Sequence, residues 1–441
     1  MGDNKLQVIK SDGTSQPIDL EKVHRMVEAA CDDVAGVSES AVEMNSGLQF
    51  YDGITTKQIQ SILIKSAADL ISLESPNYQY VAARLLLFQV RKNVFNTKWN
   101  RKHSRIYPAL KDIVTRNINY GVYDEKLVTY YDDDEWEKLD DYMKHDRDFL
   151  FTYAGLRQIV DKYLVQDRSN GKLFESPQYM YMLIAAVLFK EYSKEKRLHY
   201  VKKYYDAISQ FKINIPTPIM AGIRTPLRQF ASCVLVDCDD SLDSIFSSDM
   251  AIGRYVAQRA GIGINAGRIR GLGSKIRGGE VQHTGVIPFL KKFESTVRCC
   301  TQNGVRGGSA TVHFPIWHQE IEDILVLKNN KGSEDNRVRK LDYSIQISKL
   351  FYERFLRNED ITLFSPHQVP GLYEAFGTDE FDELYEKYER AYSIPKEKVN
   401  AQELFMKLLK ERAETGRIYI MNIDHCNSHS SFWVDQAKIS M

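Results

Sequence analysis

Six cysteines in 441 residues are too few for a disulfide scaffold, and none sits in a CxxC pair or at a zinc-like spacing. Cys31, Cys233, Cys238, Cys299, Cys300 and Cys426 therefore read as free thiols in a reducing cytoplasm, each either buried or chemically active. Excess charge is also missing. Lys+Arg and Asp+Glu both count 59, which argues against broad attraction to nucleic acid or a membrane surface. No apolar run approaches the roughly 18 residues that cross a bilayer. The start, MGDNKLQVIK, lacks the apolar stretch of a signal peptide and has no Ser or Thr where myristoylation prefers one. There is no Walker A loop. Gly261-Ile-Gly263-Ile-Asn265-Ala-Gly267 is a near miss to the dinucleotide fingerprint: it lacks the third glycine, and no acid follows about 20 residues on beside a strand.

What is present changes character along the chain. Residues 1–96 open with LQVIKSDGTSQPIDL, a strand, an Asp12-Gly13 turn and a return strand. Helical spacing follows at Val23, Met26, Val27 and Ala30, then at Ile59, Ile62, Leu63 and Ala67, and Ser75-Pro76 reads as a third helix start. This is a hairpin plus a small helical bundle. Residues 97–212 are mostly helical. Asp132 to Glu135 cap a helix at Trp136, LVQDRSNGKLFE forms a short hairpin, and Ser176-Pro177 starts another helix. From 213 onward short apolar strands (FASCVLVDC, GIGINA, SATVHFPIW, YSIQIS, ITLFSP, RIYIMNI) alternate with helices such as DSIFSSDMAIGRYVAQRA and SKLFYERFLR. That alternation predicts an α/β layer or barrel.

Nearly half of the 25 glycines lie between Gly253 and Gly308, interleaved with Arg268, Arg270, Arg277 and Arg306. Glycine permits φ > 0 and close backbone approach, and arginine offers planar donors to phosphate. The stretch reads either as phosphate-handling loops or as tight turns with no ligand. Cys233 lies on a strand beside it and is either a redox or nucleophilic thiol or a core cysteine. DCDDSLD, Asp237 to Asp243, is open to three readings: a magnesium site, a ribose-hydroxyl acceptor or a helix cap. His425 and His429 lie four apart, but the intervening Asn and Ser suggest a loop and not a metal site. Cys299-Cys300 are adjacent, cannot easily bridge each other, and read as core or loop packing.

Five stretches in order then carry a resemblance: TPIMAGIRTPLRQFASCVLVDCDDSLDSI, QRAGIGINAGRIRGLGSKIRGGEVQHTG, QNGVRGGSATVHFPIWH, LKNNKGSEDNRVRKLDYSIQI and ITLFSPHQVPGLYEAF. They resemble the large subunit of class I (aerobic) ribonucleotide reductase, and VIKSDG with YDGITTKQIQ resembles its ATP-cone. The resemblance runs from about residue 5 to Phe432. It implies an ATP-cone over 1–96, a helical domain over 97–212 and, over 213–432, the first half of a ten-stranded α/β barrel left incomplete. By position, Cys233 matches the redox cysteine that gives an electron to the substrate and becomes half of a disulfide. Thr217, Ser232 and Gly261 match substrate positions. Asp240, Ser241, Leu242, Arg270, Ile276 and Arg277 match the specificity site, where ATP or a deoxynucleoside triphosphate, with Mg2+, selects the base to be reduced. Arg306 matches the relay from effector to substrate base. Lys10, Gln16, Lys22, Thr56 and Lys92 match nucleotide contacts of the cone. Lys10-Ser11-Asp12-Gly13 stands where relatives often have KRDG, and Gln60 and Gln89 stand in place of histidines, which should weaken triphosphate binding there.

The family continues past DHCNSHS to a loop with Asn-x-Cys-x-Glu, whose cysteine becomes the thiyl radical, and this chain has no such loop. WVDQAKISM reads as a non-family tail over 433–441. The expectation is the N-terminal component of a split large subunit. It would reduce ribonucleoside diphosphates with a C-terminal large-subunit chain, a small subunit that holds the radical cofactor, and thioredoxin or glutaredoxin as reductant. No covalently bound cofactor, metal site, membrane or nucleic-acid partner is expected. The alternative is a nucleotide-sensing or assembly module without catalysis.

Overall fold

Gly13 adopts φ +83°, a left-handed conformation that L side chains resist, and Asp12 Oδ1 accepts hydrogen bonds from Thr14 N at 2.9 Å and Thr14 Oγ1 at 2.6 Å. This turn joins β1 (Gln7–Ile9) to an antiparallel β2 (Ser15–Pro17), and β3 (Ile54–Thr55) pairs parallel to β1. These details come from a computed structural model that describes residues 6–47, 49–95, 107–300 and 307–433. Helix α1 (Leu20–Cys31) is capped by Asp19, whose carboxylate accepts from Lys22 N at 3.1 Å. A further helix, α2 (Glu39–Gly47), has no clear apolar stripe in sequence. Thr55 and Gln58 form a capping box that starts α3 (Thr56–Asp69). Helix α4 (Tyr78–Phe95) begins beyond Ser75-Pro76, because the carbonyls of Pro76 and Asn77 close tight turns with the amides of Gln79 and Tyr80.

Helices α5 (Leu110–Asn119), α6 (Asp133–Tyr142) and α7 (Tyr153–Gln158) follow. A hairpin of β4 (Gln166–Asp167) and β5 (Lys172–Leu173) then leads to α8 (Pro177–Phe189), α9 (Lys194–Ser209) and α10 (Thr217–Gly222). Asp132 and Glu135 cap α6 with a full capping box, and Pro177 opens α8. The chain divides into two compact units at Phe230 and Ala231, so the segment after α10 belongs to the helical unit. The cause is a buried ion pair. Arg224 and Glu175 are both fully buried and doubly hydrogen-bonded, with the Arg224 Nε–Oε2 distance 2.7 Å, and this ties the segment after α10 into the helical unit.

The second unit opens with β6 (Cys233–Asp237), α11 (Leu242–Ala257), β7 (Gly261–Asn265) and a small hairpin of β8 (Lys275–Ile276) and β9 (Val281–Gln282). Helix α12 (Ile287–Cys299), β10 (Ala310–Pro315), α13 (Ile321–Leu325), β11 (Asp342–Ile347) and α14 (Lys349–Arg357) come next. The remainder is β12 (Asp360–Leu363), α15 (Leu372–Ala375), α16 (Phe381–Arg390), β13 (Glu397–Asn400), α17 (Ala401–Thr415), β14 (Ile418–Asn422) and α18 (Ile423–Ser428). Five strands form one parallel sheet in the order β14-β11-β10-β7-β6, each laid beside its predecessor. A doubly wound sheet would reverse direction part-way. Unreversed addition is how a barrel wall is built, and five strands make an incomplete barrel. ITLFSP is a strand but not of this sheet, since β12 pairs antiparallel with β13.

The two faces of the sheet differ. Ile262 and Ile264, Val312 and Phe314, and Tyr343, Ile345 and Ile347 face Ile252, Val256, Phe293, Val297, Leu404 and Leu408 of the covering helices. The opposite face carries Cys233, Leu235 and Asp237 on β6, Gly261, Gly263 and Asn265 on β7, Thr311 and His313 on β10, and Ser344 and Gln346 on β11. A Cβ built on Gly263 would lie 2.6 Å from Leu235 Cδ2 and 3.7 Å from His313 Nε2, so the side chains of β6 and β10 close over a bare β7 backbone.

Candidate functional site

The sheet face opposite the helices and the loops around it hold most of the site residues expected from sequence. Cys233 begins β6, exposed and unbridged, opposite Gly261 in register. Gly261 N donates to Ser232 O at 2.8 Å, so Ser232, Cys233 and Gly261 form one corner. A Cβ at Gly261 would lie no closer than 3.8 Å to its neighbours there, so packing does not by itself require glycine. Cys238 and Cys31 differ from Cys233. Both are buried, and burial pushes their thiols up to about 11 and about 12. Cys299 is exposed and Cys300 half-buried, so of the expected core or loop packing the core half does not hold; their Sγ atoms lie 3.8 Å apart. Thr217 opens α10 in the first unit, its Oγ1 3.4 Å from the Tyr163 hydroxyl.

At the other end of β6 and β7 the chain turns into the expected effector loops. Asp240 pairs with Arg270: Arg270 N donates to Asp240 Oδ1 at 3.0 Å and Arg270 Nε to Oδ2 at 2.8 Å. Arg270 Nη1 donates to Lys275 O at 3.1 Å, which holds the hairpin against the pair. Ser241 caps α11, accepting from Ser244 N at 3.1 Å, and Leu242 is exposed. The cluster Asp237 to Asp243 is therefore a cap and an ion pair here. Ile276 ends β8 and Arg277 follows it at φ +51°, with Gly278 at +70° and Gly279 at +106°. A non-glycine residue in that region is uncommon, and three in succession turn the exposed arginine sharply at the hairpin tip. Arg306 lies outside the described residues.

In the first unit, Ile9 pairs with Thr55, which places Lys10 near Thr56 at the start of α3. Gln60 Nε2 donates to Leu85 O at 2.7 Å, which joins α3 to α4, and Lys92 is exposed near the end of α4. Gln16 lies on β2, and Lys22 pairs with Asp19 at 3.1 Å. Gln60 thus serves the helix packing, and Gln89 is half-buried on α4.

Other residues of the site were not singled out from sequence. Asn265 is fully buried; its Nδ2 donates to Asp237 Oδ1 at 2.6 Å and its Oδ1 accepts from the Tyr373 hydroxyl at 2.7 Å. Ser365 Oγ accepts from Gly271 N at 2.9 Å and lies 2.9 Å from His367 Nδ1. Burial, and the Arg270 charge after it, lowers the His367 pKa; burial alone takes His313 to about 4. Among the described residues no three His, Cys, Asp or Glu side chains converge as a metal site, and no helix is long and apolar enough to cross a membrane. The rings of His425 and His429 lie 5.7 Å apart.

Comparison with known proteins covers nearly the whole chain. Residues 6–93 match the family model of the ATP cone domain, 149–228 that of the ribonucleotide reductase all-alpha domain, and 231–441 that of the ribonucleotide reductase barrel domain. The last match takes in the segment 433–441 that was set apart above. The chain is 54% identical over 429 residues to the ribonucleoside-diphosphate reductase 1 subunit alpha of Escherichia coli (strain K12), covering 97% of this chain and 56% of that protein. It is 45% identical over 439 residues to the ribonucleoside-diphosphate reductase subunit alpha of Enterobacteria phage T4, covering 98% of this chain and 57% of that protein. The Helicobacter pylori (strain ATCC 700392 / 26695) subunit alpha is 32% identical over 428 residues, covering 96% and 52%. The chain spans about half the length of the curated relatives it matches.

Proposed function

We propose, for a chain that matches the ATP cone model and the all-alpha and barrel models of ribonucleotide reductase, that it is the N-terminal part of a class I large subunit and reduces ribonucleoside diphosphates to 2′-deoxyribonucleoside diphosphates. One observation carries the reading. An exposed thiol, Cys233, stands beside Gly261 at one end of the sheet face opposite the helices, and the Asp240–Arg270 loops stand at the other end of the same strands. In the proposed reaction the C2′–O bond of the ribose breaks, water leaves and a C2′–H bond forms. Cys233 and a second thiol supply the two electrons and become a disulfide. Thioredoxin or glutaredoxin then restores the thiols.

The hydrogen-abstracting cysteine and the second redox thiol come, in this reading, from polypeptide beyond these residues. A separate complementing chain would supply them. Such a chain would also continue the sheet past β6 and β14, whose outer edges would otherwise attract unwanted pairing. The radical resides in a small subunit. ATP or a deoxynucleoside triphosphate, with its Mg2+, binds at Asp240, Ser241, Leu242, Arg270, Ile276 and Arg277, and Arg306 relays its identity to Thr217, Ser232 and Gly261 around the substrate. The cone, through Lys10, Gln16, Lys22, Thr56 and Lys92, binds nucleotide weakly. The exposed Cys233 and the absence of a membrane-crossing helix among the described residues suit a reducing cytoplasm.

The test is ribonucleoside-diphosphate reduction by this chain combined with the complementing large-subunit polypeptide, a radical-bearing small subunit and a dithiol reductant. Cys233→Ser should abolish turnover and leave effector binding intact. Binding of effector with no effect of Cys233→Ser on any reconstituted activity would instead assign a nucleotide-sensing module.

A further inference from the structure

Between Ile269 and Val286 the proposed effector loop rests on three consecutive side chains, His318, Gln319 and Glu320, in the turn after β10. His318 is fully buried. Its Nε2 donates to Ile269 O at 2.9 Å while its Nδ1 accepts from Glu320 N at 3.1 Å, so one neutral ring pins the start of the loop and orients its neighbour. Burial keeps that ring uncharged, its pKa near 4. Gln319 Nε2 donates to Leu272 O at 3.1 Å. Glu320, only 6% exposed, accepts from Leu272 N at 2.9 Å through Oε2 and from Val286 N at 3.3 Å and 3.2 Å through Oε1 and Oε2. Among the described residues no lysine or arginine pairs with it. A carboxylate buried without a cation is costly unless backbone amides satisfy it, and here the amides come from both ends of one loop.

Two glycines give independent support. A Cβ on Gly271 would lie 2.5 Å from Gln319 Oε1, and one on Gly285, itself at φ +83°, would lie 2.6 Å from Glu320 Oε1. The loop backbone therefore lies directly against these side chains, closer than any other residue type allows. Val286 is also the residue from which α12 starts.

We propose that Glu320 is the positioning residue of the specificity site: through the amides of Leu272 and Val286 its carboxylate holds the loop in the shape that binds a deoxynucleoside triphosphate. This rests on the reading of Asp240, Arg270 and Arg277 as that site. Glutamine at 320 keeps the volume but offers one acceptor oxygen and points an NH2 group at donors that need acceptors.

The experiment is equilibrium binding of dTTP to the full chain and to the variants Glu320→Gln, Gly285→Ala and Asp240→Ala, with thermal melting of each and deuterium exchange of the 269–286 peptides in the wild type. The expected result is at least a tenfold loss of dTTP affinity in Glu320→Gln and in Gly285→Ala, with melting within a few degrees of wild type. In the wild type, Leu272 and Val286 should exchange slowly and more slowly still with dTTP. Wild-type affinity in Glu320→Gln overturns the proposal while the site reading stands, provided Asp240→Ala has lost binding. Equal dTTP binding by wild type and Asp240→Ala sinks the site reading itself. Should neither variant at 320 or 285 fold, exchange decides: free exchange of the 269–273 and 285–287 amides in the wild type, with or without dTTP, refutes the clamp.

Discussion

Burial raises the Glu320 carboxyl from the ordinary glutamate range to about 7, with the charge of Asp323 adding to the effect and the two amide contacts opposing it. A folded-state pKa above the unfolded value means that the folded chain holds the proton more tightly. The stability this gives is fully present below about pH 4.5 and is lost as pH rises through about 7. With roughly 1.4 kcal/mol per unit, the loss across that window is on the order of 3 kcal/mol. Denaturation of wild type and Glu320→Gln between pH 5 and pH 8 should show the difference between the two shrinking or changing sign; parallel curves would contradict it. At the same scale, Gly308 lies two residues before β10. A Cβ there would lie 2.6 Å from Val256 Cγ1 and 3.0 Å from Val297 Cγ1. Gly308→Ala should cost about 1–3 kcal/mol in an unfolding titration, as overpacking does, and no measurable loss would contradict the packing described. The Asp132–Glu135 cap and the Asp12-Gly13 turn were legible in sequence because donor and acceptor lie within three residues of each other. Glu320 was not, because its partners lie 48 and 34 residues away.

Among the elements, the strands of the parallel sheet announced themselves through the apolar residues of their helix-covered face, Ile262 and Ile264 on β7, Val312 and Phe314 on β10, and Tyr343, Ile345 and Ile347 on β11. The pairing of β12 was hidden, since its partner β13, Glu397–Asn400, is EKVN and has no apolar signature. The anchoring of residues 217–230 was hidden for a similar reason. What anchors 217–230 is a charged pair, Arg224 with Glu175, joined by the Tyr123 hydroxyl that donates to Glu175, and composition does not reveal a long-range partner. Removing one member strands a buried charge, so Arg224→Leu should destabilise the first unit by about 3–5 kcal/mol. Limited proteolysis and urea unfolding of the full chain would register this as early loss of the helical unit. A loss under about 1 kcal/mol would show that the pair is not holding the segment.

For the whole molecule, the unreversed order of five parallel strands leaves one face covered by helices and the other exposing Cys233 at its β6 edge while Tyr373 of α15 covers Asn265. The alternation of strands and helices made an α/β layer legible. Alternation alone left layer and barrel open, the family resemblance implied half of a barrel, and five strands added in one direction agree with it. The corner at Ser232, Cys233 and Gly261 and the Asp240–Arg270 pair sit at opposite ends of β6 and β7, which gives the proposed coupling of effector to substrate a short rigid path. The division of labour proposed here is that this chain brings the electron-donating thiol and the effector loops, while another polypeptide brings the hydrogen-abstracting thiol. Its most direct test is deoxyribonucleoside diphosphate formation with components omitted one at a time. The account predicts product only when chain, complementing polypeptide, small subunit and reductant are all present, and none with Cys233→Ser. Product from this chain and the small subunit without the complementing polypeptide, or undiminished product from Cys233→Ser, would contradict it.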